Sequence, residues 1–252
     1  MIHKEIYVAG LPVVDADIEA ALDSIWSDVE ARAFHAYALV NAYSASLCRS
    51  SCEYAAALTS SSTVPLPDGA SLAFGARALG LGRLGRCPGP DLMDAGAARA
   101  AADGTAFALL GGNEGVAQDL AHRLVSRHQG LRVVLAEAPP FGVWPQETSL
   151  SLCRLVRDSG ASVLWLGVSA PKQEIWADEF LDQVEIPIVC VGAAFDFLAQ
   201  RKPRAPRWMR TIGLEWFFRL ATEPRRLWRR YLIGNAVFVS DLLRYRRRRR
   251  GV

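Results

Sequence analysis

Apolar residues recur along the first four fifths of the chain in short dense runs separated by amphipathic stretches. Residues 36–41, 105–110, 131–136, 162–167 and 187–192 form such runs. Runs of that length with little polar alternation read as strands buried on both faces. Between them, three-to-four spacing predicts helices over 43–58, 70–79, 90–102, 114–128, 147–158 and 172–183, with a short helix after Gly192-Ala193-Ala194. An earlier helix carries Ile18, Leu22, Ile25, Trp26 and Val29 on one stripe, capped by Asp15 or Asp17. Pro90 suits the first turn of its helix. Residues 63–67 (TVPLP) make a poor central strand, because Pro65 and Pro67 cannot donate to a ladder. They lead into the turn signal Asp68-Gly69, and Gly80, Gly82 and Gly85 make an open loop. Repeated βα units of this kind predict an α/β fold, a Rossmann-like parallel sheet flanked by helices.

The pattern changes near residue 200. Trp208, Ile212, Trp216 and Leu220 fall on one stripe across 207–221, flanked by Met209 and Phe217. Leu227, Trp228, Tyr231 and Leu232 then alternate with Arg225, Arg226, Arg229 and Arg230, and the chain runs into Arg246 to Arg250. This predicts a basic, aromatic-rich helical appendage over 201–252 behind a core over 1–200.

Charge sharpens that division. The 252 residues carry a formal net charge of only +3. Residues 1–200 hold 13 basic against 23 acidic residues, and residues 201–252 hold 16 against 3. A hydrophobic fraction of 51% excludes disorder for most of the chain. No stretch approaches the ~18–20 apolar residues of a spanning helix, and residues 1–10 lack the basic-then-apolar pattern of a secretory signal. The five cysteines, 48, 52, 87, 153 and 190, show no metal-ligand spacing and fit reduced thiols. His3, His35, His122 and His128 have no such spacing either.

Ligands of open parallel sheets sit beyond the carboxyl ends of the strands. The polar residues expected there are Asn41, Asp68, Gly111-Gly112-Asn113, the loop Ser169 to Glu174, and Gly192 to Asp196. The glycine pair before a helix offers backbone N–H groups to a phosphate, although a tight βα turn explains it equally simply. Lys172 is one of three lysines among 29 basic residues. It places a cation in a first helical turn, where the helix dipole disfavours it and a bound anion would relieve it; a solvated lysine is the plain alternative. Asp68 is a candidate base or simply an Asp-Gly turn residue. Asp196, between Phe195 and Phe197, is a carboxylate in an apolar setting or a helix-start residue. No Gly-x-Ser-x-Gly elbow occurs, and the one Asp-x-Asp run, Asp15-Ala16-Asp17, reads as a helix cap rather than a metal-bridging motif, which argues against a glycosyltransferase with a metal-bridged nucleotide. For the tail, arginine runs bind nucleic-acid phosphates, whereas apolar stripes flanked by arginines bind anionic membrane surfaces; a packing arm with a solvated end is the third reading.

Several segments together resemble the WecG/TagA/CpsF family of bacterial glycosyltransferases. They are Gly167-Val168-Ser169-Ala170-Pro171-Lys172-Gln173-Glu174-Ile175-Trp176-Ala177, Val191 to Ala199, Arg204 to Arg210, Gly213-Leu214-Glu215-Trp216 and Glu223-Pro224-Arg225-Arg226. Upstream, Pro67-Asp68-Gly69, Arg86, Gly89-x-Asp91-Leu92-Met93 and Leu110-Gly111-Gly112 with Gly115 follow in the family's order. The resemblance implies a metal-independent, inverting transferase without a cofactor. It would move a sugar from a UDP-sugar, in the manner of an N-acetylmannosaminyl or other hexosyl transferase, to a polyprenyl-diphosphate-linked sugar in cell-surface polysaccharide synthesis. It implies Asp68 as the base, Asn41 orienting donor or acceptor, and Arg86 steadying the departing diphosphate. Gly111, Gly112, Asn113, Lys172, Gln173, Glu174 and Asp196 would line the nucleotide-sugar pocket, and Arg219, Arg225 and Arg229 would grip the lipid diphosphate. The family's Thr two residues before its Asn is Leu39 here. The implied location is the cytoplasmic face of the cell membrane, with the tail as peripheral anchor; its apolar stripes suit a subunit contact as well. No nucleic-acid partner is expected on this reading. A non-catalytic nucleotide- or RNA-binding protein using the basic tail is the alternative.

Overall fold

The computed structural model describes residues 5–249. His3, Lys4 and Arg250 lie outside the described residues. The chain opens with an antiparallel hairpin, β1 (Glu5–Val8) and β2 (Leu11–Val14), turning at Ala9-Gly10. The apolar pattern above does not predict it, because its strands are four residues long and Pro12 interrupts the second. Asp17 caps α1 (Ile18–Ala31), accepting from the Ala20 N–H at 3.0 Å, while Asp15 Oδ1 accepts from the Gly85 N–H at 2.9 Å.

Six strands follow: β3 (Ala36–Val40), β4 (Thr63–Pro67), β5 (Ala106–Gly111), β6 (Arg132–Glu137), β7 (Val163–Gly167) and β8 (Ile188–Cys190). They form one parallel sheet in the order β4-β3-β8-β7-β5-β6. The proline-bearing β4 takes an outer position, pairing only with β3, where the missing N–H groups cost the ladder least.

Helices cover both faces, and the pleat divides the core between them. Phe107, Leu109, Trp165 and Val189 meet α1, α5 (Gly89–Asp103), α6 (Val116–Arg127) and α9 (Ala194–Leu198). Their neighbours Ala108, Leu110, Leu164, Leu166 and Cys190 meet α7 (Gln146–Asp158) and α8 (Lys172–Val184). The predicted helix 43–58 is two helices, α2 (Ala42–Ser50) and α3 (Cys52–Thr59). Ser51 between them is extended, and its Oγ accepts from the Tyr54 N–H at 3.1 Å. With α4 (Ala70–Ala78), they enclose a third cluster around Val40, Tyr54, Leu58 and Leu72.

The tail continues as α10 (Arg207–Thr211), α11 (Glu215–Thr222), α12 (Pro224–Trp228), one π-helical turn (Arg229–Ile233) and α13 (Gly234–Arg249). The predicted stripe over 207–221 is broken at Gly213, whose φ is +80° and whose Cα packs so closely on Ala70 that a Cβ would stand 2.5 Å from Ala70 Cβ. The tail packs on the core. Phe238 of α13 is buried in the third cluster, Leu227 is buried, and Arg204 holds Asp91 through two bonds of 2.8 and 2.6 Å. Arg49 pairs with Asp241. No described helix is long and apolar enough to cross a membrane, and the five cysteines are free thiols.

Candidate active site

A cavity of about 440 Å³ opens at the carboxyl ends of β3, β4, β7 and β8, roofed by the tail. That volume lies within the ~300–1,000 Å³ of small-molecule sites. Residues just after each of these strands enter its wall. Asn41 follows β3, Asp68 follows β4, Ser169 follows β7 and Val191-Gly192 follow β8.

Asn41 is fixed by its role as the N-cap of α2. Its Oδ1 accepts from the Tyr43 N–H at 3.0 Å, and its own N–H donates to Ser44 Oγ at 3.2 Å. Its remaining donor, Nδ2, points at Asp68 Oδ2 at 3.4 Å. The Asp68 N–H donates to the Val40 carbonyl at 2.7 Å, which ties the carboxylate to the end of the neighbouring strand. Burial in the cavity wall raises the Asp68 carboxyl above its usual range, with Glu215 adding repulsion; Asn41, Arg219 and Arg230 pull the other way. A carboxylate with a raised pKa in an open cavity is suited to take a proton.

Three guanidinium groups face the same space. Arg86 arrives from the loop before α5, and its Nε is buried without a partner. Arg219 of α11 lies 5.2 Å from the Phe197 ring centroid, its Nε likewise buried and unpaired. Arg230 of the π turn sits 5.0 Å from the Tyr43 ring centroid. Burial, and then the nearby Arg219, lower its pKa. Two cations held this close, with donors unspent, form a site for an anion. Gln173 and Glu174 complete the wall beside Gly192.

Asn41, Asp68, Arg86, Gln173, Glu174 and Arg219 therefore come together with Ser169 and Gly192, while Gly111, Gly112, Asn113, Lys172, Asp196, Arg225 and Arg229 do not line the cavity. Gly111 and Gly112 serve close packing. A Cβ on Gly111 would stand 2.6 Å from Gly167 Cα, one on Gly112 would stand 2.6 Å from Val116 Cβ, and the Gly112 N–H donates to the Gly167 carbonyl at 3.0 Å. The N–H intended for a phosphate is thus already spent, and Asn113 is exposed beyond it. Lys172 is relieved without an anion: Nζ donates to the Gly142 carbonyl and lies 3.4 Å from a Trp144 ring centroid, and burial lowers its pKa to about 8. Asp196 turns away to pair with Lys202 at 2.9 Å.

Arg225 and Arg229 are exposed, Arg229 lying 5.2 Å from the Trp228 ring centroid. The wide π turn carries Arg230 inward in their stead. Glu215, Trp216, Arg230 and Tyr231 are wall residues that the sequence does not assign to the pocket. Their adjacency to the named arginines was visible, but which side of the helix faced the core was not.

The glycosyl transferase WecG/TagA/CpsF family model matches residues 6–252. The chain belongs to the WecG/TagA/CpsF glycosyltransferase family. It is accordingly a transferase with a sugar donor and an acceptor. The family's match runs through the tail, whose helices supply part of the wall of the cavity.

Proposed function

We propose that the protein transfers a sugar from a UDP-sugar to a polyprenyl-diphosphate-linked sugar, with inversion, during cell-surface polysaccharide synthesis. The observation that carries this reading is the convergence of Asp68 and Asn41 with three inward-facing arginines in one cavity. Asp68 takes the proton of the acceptor hydroxyl as that oxygen bonds the anomeric carbon. The bond from that carbon to the diphosphate oxygen breaks on the opposite face. Arg86, Arg219 and Arg230 neutralise the charge gathering on the departing diphosphate, the role a divalent metal plays elsewhere. Asn41 holds the Asp68 carboxylate oriented through its 3.4 Å contact.

The tail supports placing this chemistry on a membrane face, which on this reading is the cytoplasmic one. Trp208, Ile212, Trp216, Phe217 and Trp228 are exposed on the tail, which also exposes Arg225, Arg229, Arg244 and Arg246. Such a pairing suits anionic headgroups at ~1 kcal/mol per basic residue. Asp68→Asn tests the base. The variant should retain UDP binding and lose sugar transfer by at least ~100-fold; near-full transfer would remove Asp68 from the mechanism. Transfer abolished by EDTA and restored by a divalent ion would remove the arginines from their assigned role.

A further inference from the structure

Besides the Nε atoms of Arg86 and Arg219, two polar atoms in residues of the cavity wall have no partner within the protein. Gln173 and Glu174 are the second and third residues of α8, 4% and 3% exposed. Gln173 Nε2 donates to Glu174 Oε1 at 2.8 Å. That bond leaves Gln173 Oε1 and Glu174 Oε2 buried and unpaired, in two residues that both line the cavity. Buried polar atoms are rarely left so, and those that are call for a ligand or a protonation state that explains them.

The surroundings of Glu174 favour the neutral acid. On α3, the Tyr54 hydroxyl is committed to Ser44 Oγ at 3.1 Å. On β8, the Cys190 thiol donates to the Gln173 carbonyl at 3.7 Å. Burial raises the Glu174 carboxyl to about 7, against the Gln173 amide, a backbone N–H and, from the tail, Arg230, which draw it down only in part. Neutral Glu174 accepts the Gln173 amide on Oε1 and carries its proton on Oε2. The pair then presents one donor beside one acceptor.

We propose that Gln173 and Glu174 together read an uncharged donor–acceptor face of the bound sugar. Glu174 Oε2–H donates to a sugar oxygen, and Gln173 Oε1 accepts from a sugar O–H or N–H. This rests on the transferase reading of the cavity. Raising the pH ionises Glu174, removes its donor and sets two acceptors side by side, so sugar binding weakens.

The test is equilibrium binding of UDP, UDP-glucose and UDP-N-acetylglucosamine to the full-length protein and to Glu174→Gln, from pH 6 to pH 8.5. The glutamine keeps the shape, the bond from Gln173 and a donor, but cannot ionise. For the sugar nucleotide that binds, the affinity of the native protein relative to the variant should fall roughly tenfold between pH 7 and pH 8.5, following the neutral fraction. UDP should show no such fall. A ratio constant with pH, or a fall shared by UDP, overturns the proposal and leaves the transferase reading standing. Failure of UDP and both sugar nucleotides to bind at any pH overturns the UDP-sugar reading of the cavity itself, and the proposal with it. In the ligand-free protein at pH 6, a protonated-carboxyl infrared band that Glu174→Gln removes is expected; its absence also overturns the proposal.

Discussion

Phe238→Ala should release the last helix from the core while leaving the sheet intact. The ring lies between α4 and β1. A Cβ on Gly75 would stand 2.9 Å from Phe238 Cζ and 3.0 Å from Val8 Cγ1, so both side chains sit close against Gly75, within one buried cluster. Truncating a buried phenylalanine costs ~3–5 kcal/mol. The lower figure applies here, because a tail helix can shift to close the gap. The other tethers do not make up the loss. Arg204–Asp91 is bidentate but lies toward the surface, and Arg49–Asp241 is more exposed still, each worth ~1 kcal/mol or less. A loss of ~3 kcal/mol multiplies the undocked population about a hundredfold. Amide hydrogen exchange reads this directly. Protection across 229–249 should fall by about two decades more than any fall in β5 or β7. An equal fall in β5 and β7 would show that Phe238 supports the whole fold, and unchanged protection in α13 would show that it anchors nothing.

Four further outcomes follow from the same geometry. Arg230→Ala should lower kcat/KM ~100-fold, while Arg229→Ala, on the exposed side, should stay within about fivefold; reversed effects would refute the inward assignment. Asp68 works as a base only when ionised, so activity falls as pH drops through its raised pKa; Glu215→Gln removes one cause of that rise and should move the acid limb of the pH–rate profile to lower pH, and an unmoved limb would exclude the coupling. Glu174 binds its proton more tightly in the folded state, at about 7 against 4.5, so stability should decline by ~3 kcal/mol as pH rises from 4.5 to 7 and stay low above it; urea unfolding of Glu174→Gln should lack this slope, and equal slopes would show that Glu174 is ionised throughout. Replacing Trp208, Ile212 and Phe217 by serine should weaken sedimentation with anionic liposomes at least tenfold, and undiminished binding would assign those residues to another contact.

The strands were legible because a parallel sheet covered on both faces must be built from dense apolar runs, and 105–110 and 162–167 are such runs. The cap at Asp17 and the outer place of the proline strand followed from single-residue chemistry. Asn41 and Asp68 were legible for a topological reason: they are the polar residues that directly follow apolar strands. The misplacements share a cause. Gly111-Gly112 satisfies a packing demand from Gly167 and Val116, partners more than three residues away along the chain or across the sheet. Lys172 finds relief on Trp144, which comes from another loop. Asp196 finds Lys202 beyond the end of its helix. Apolar periodicity assumes 3.6 residues per turn, so it could not foresee the wider turn at Arg229–Ile233 that exchanges Arg229 for Arg230.

That wide turn sets a phase relation between two surfaces. A π turn holds one residue more than the α turn it replaces. Tightening it would rotate everything beyond it by about 100°. Such a rotation would carry Phe238 off Gly75, and keeping Phe238 in place would instead swing the turn, turning Arg230 away from Tyr43. The anchor of the last helix and the innermost cation of the cavity are therefore geared together: neither can be re-aimed without the other. An insertion or deletion of one residue between 229 and 233 should cost more than any single substitution there, because it shifts the phase of the whole C-terminal helix.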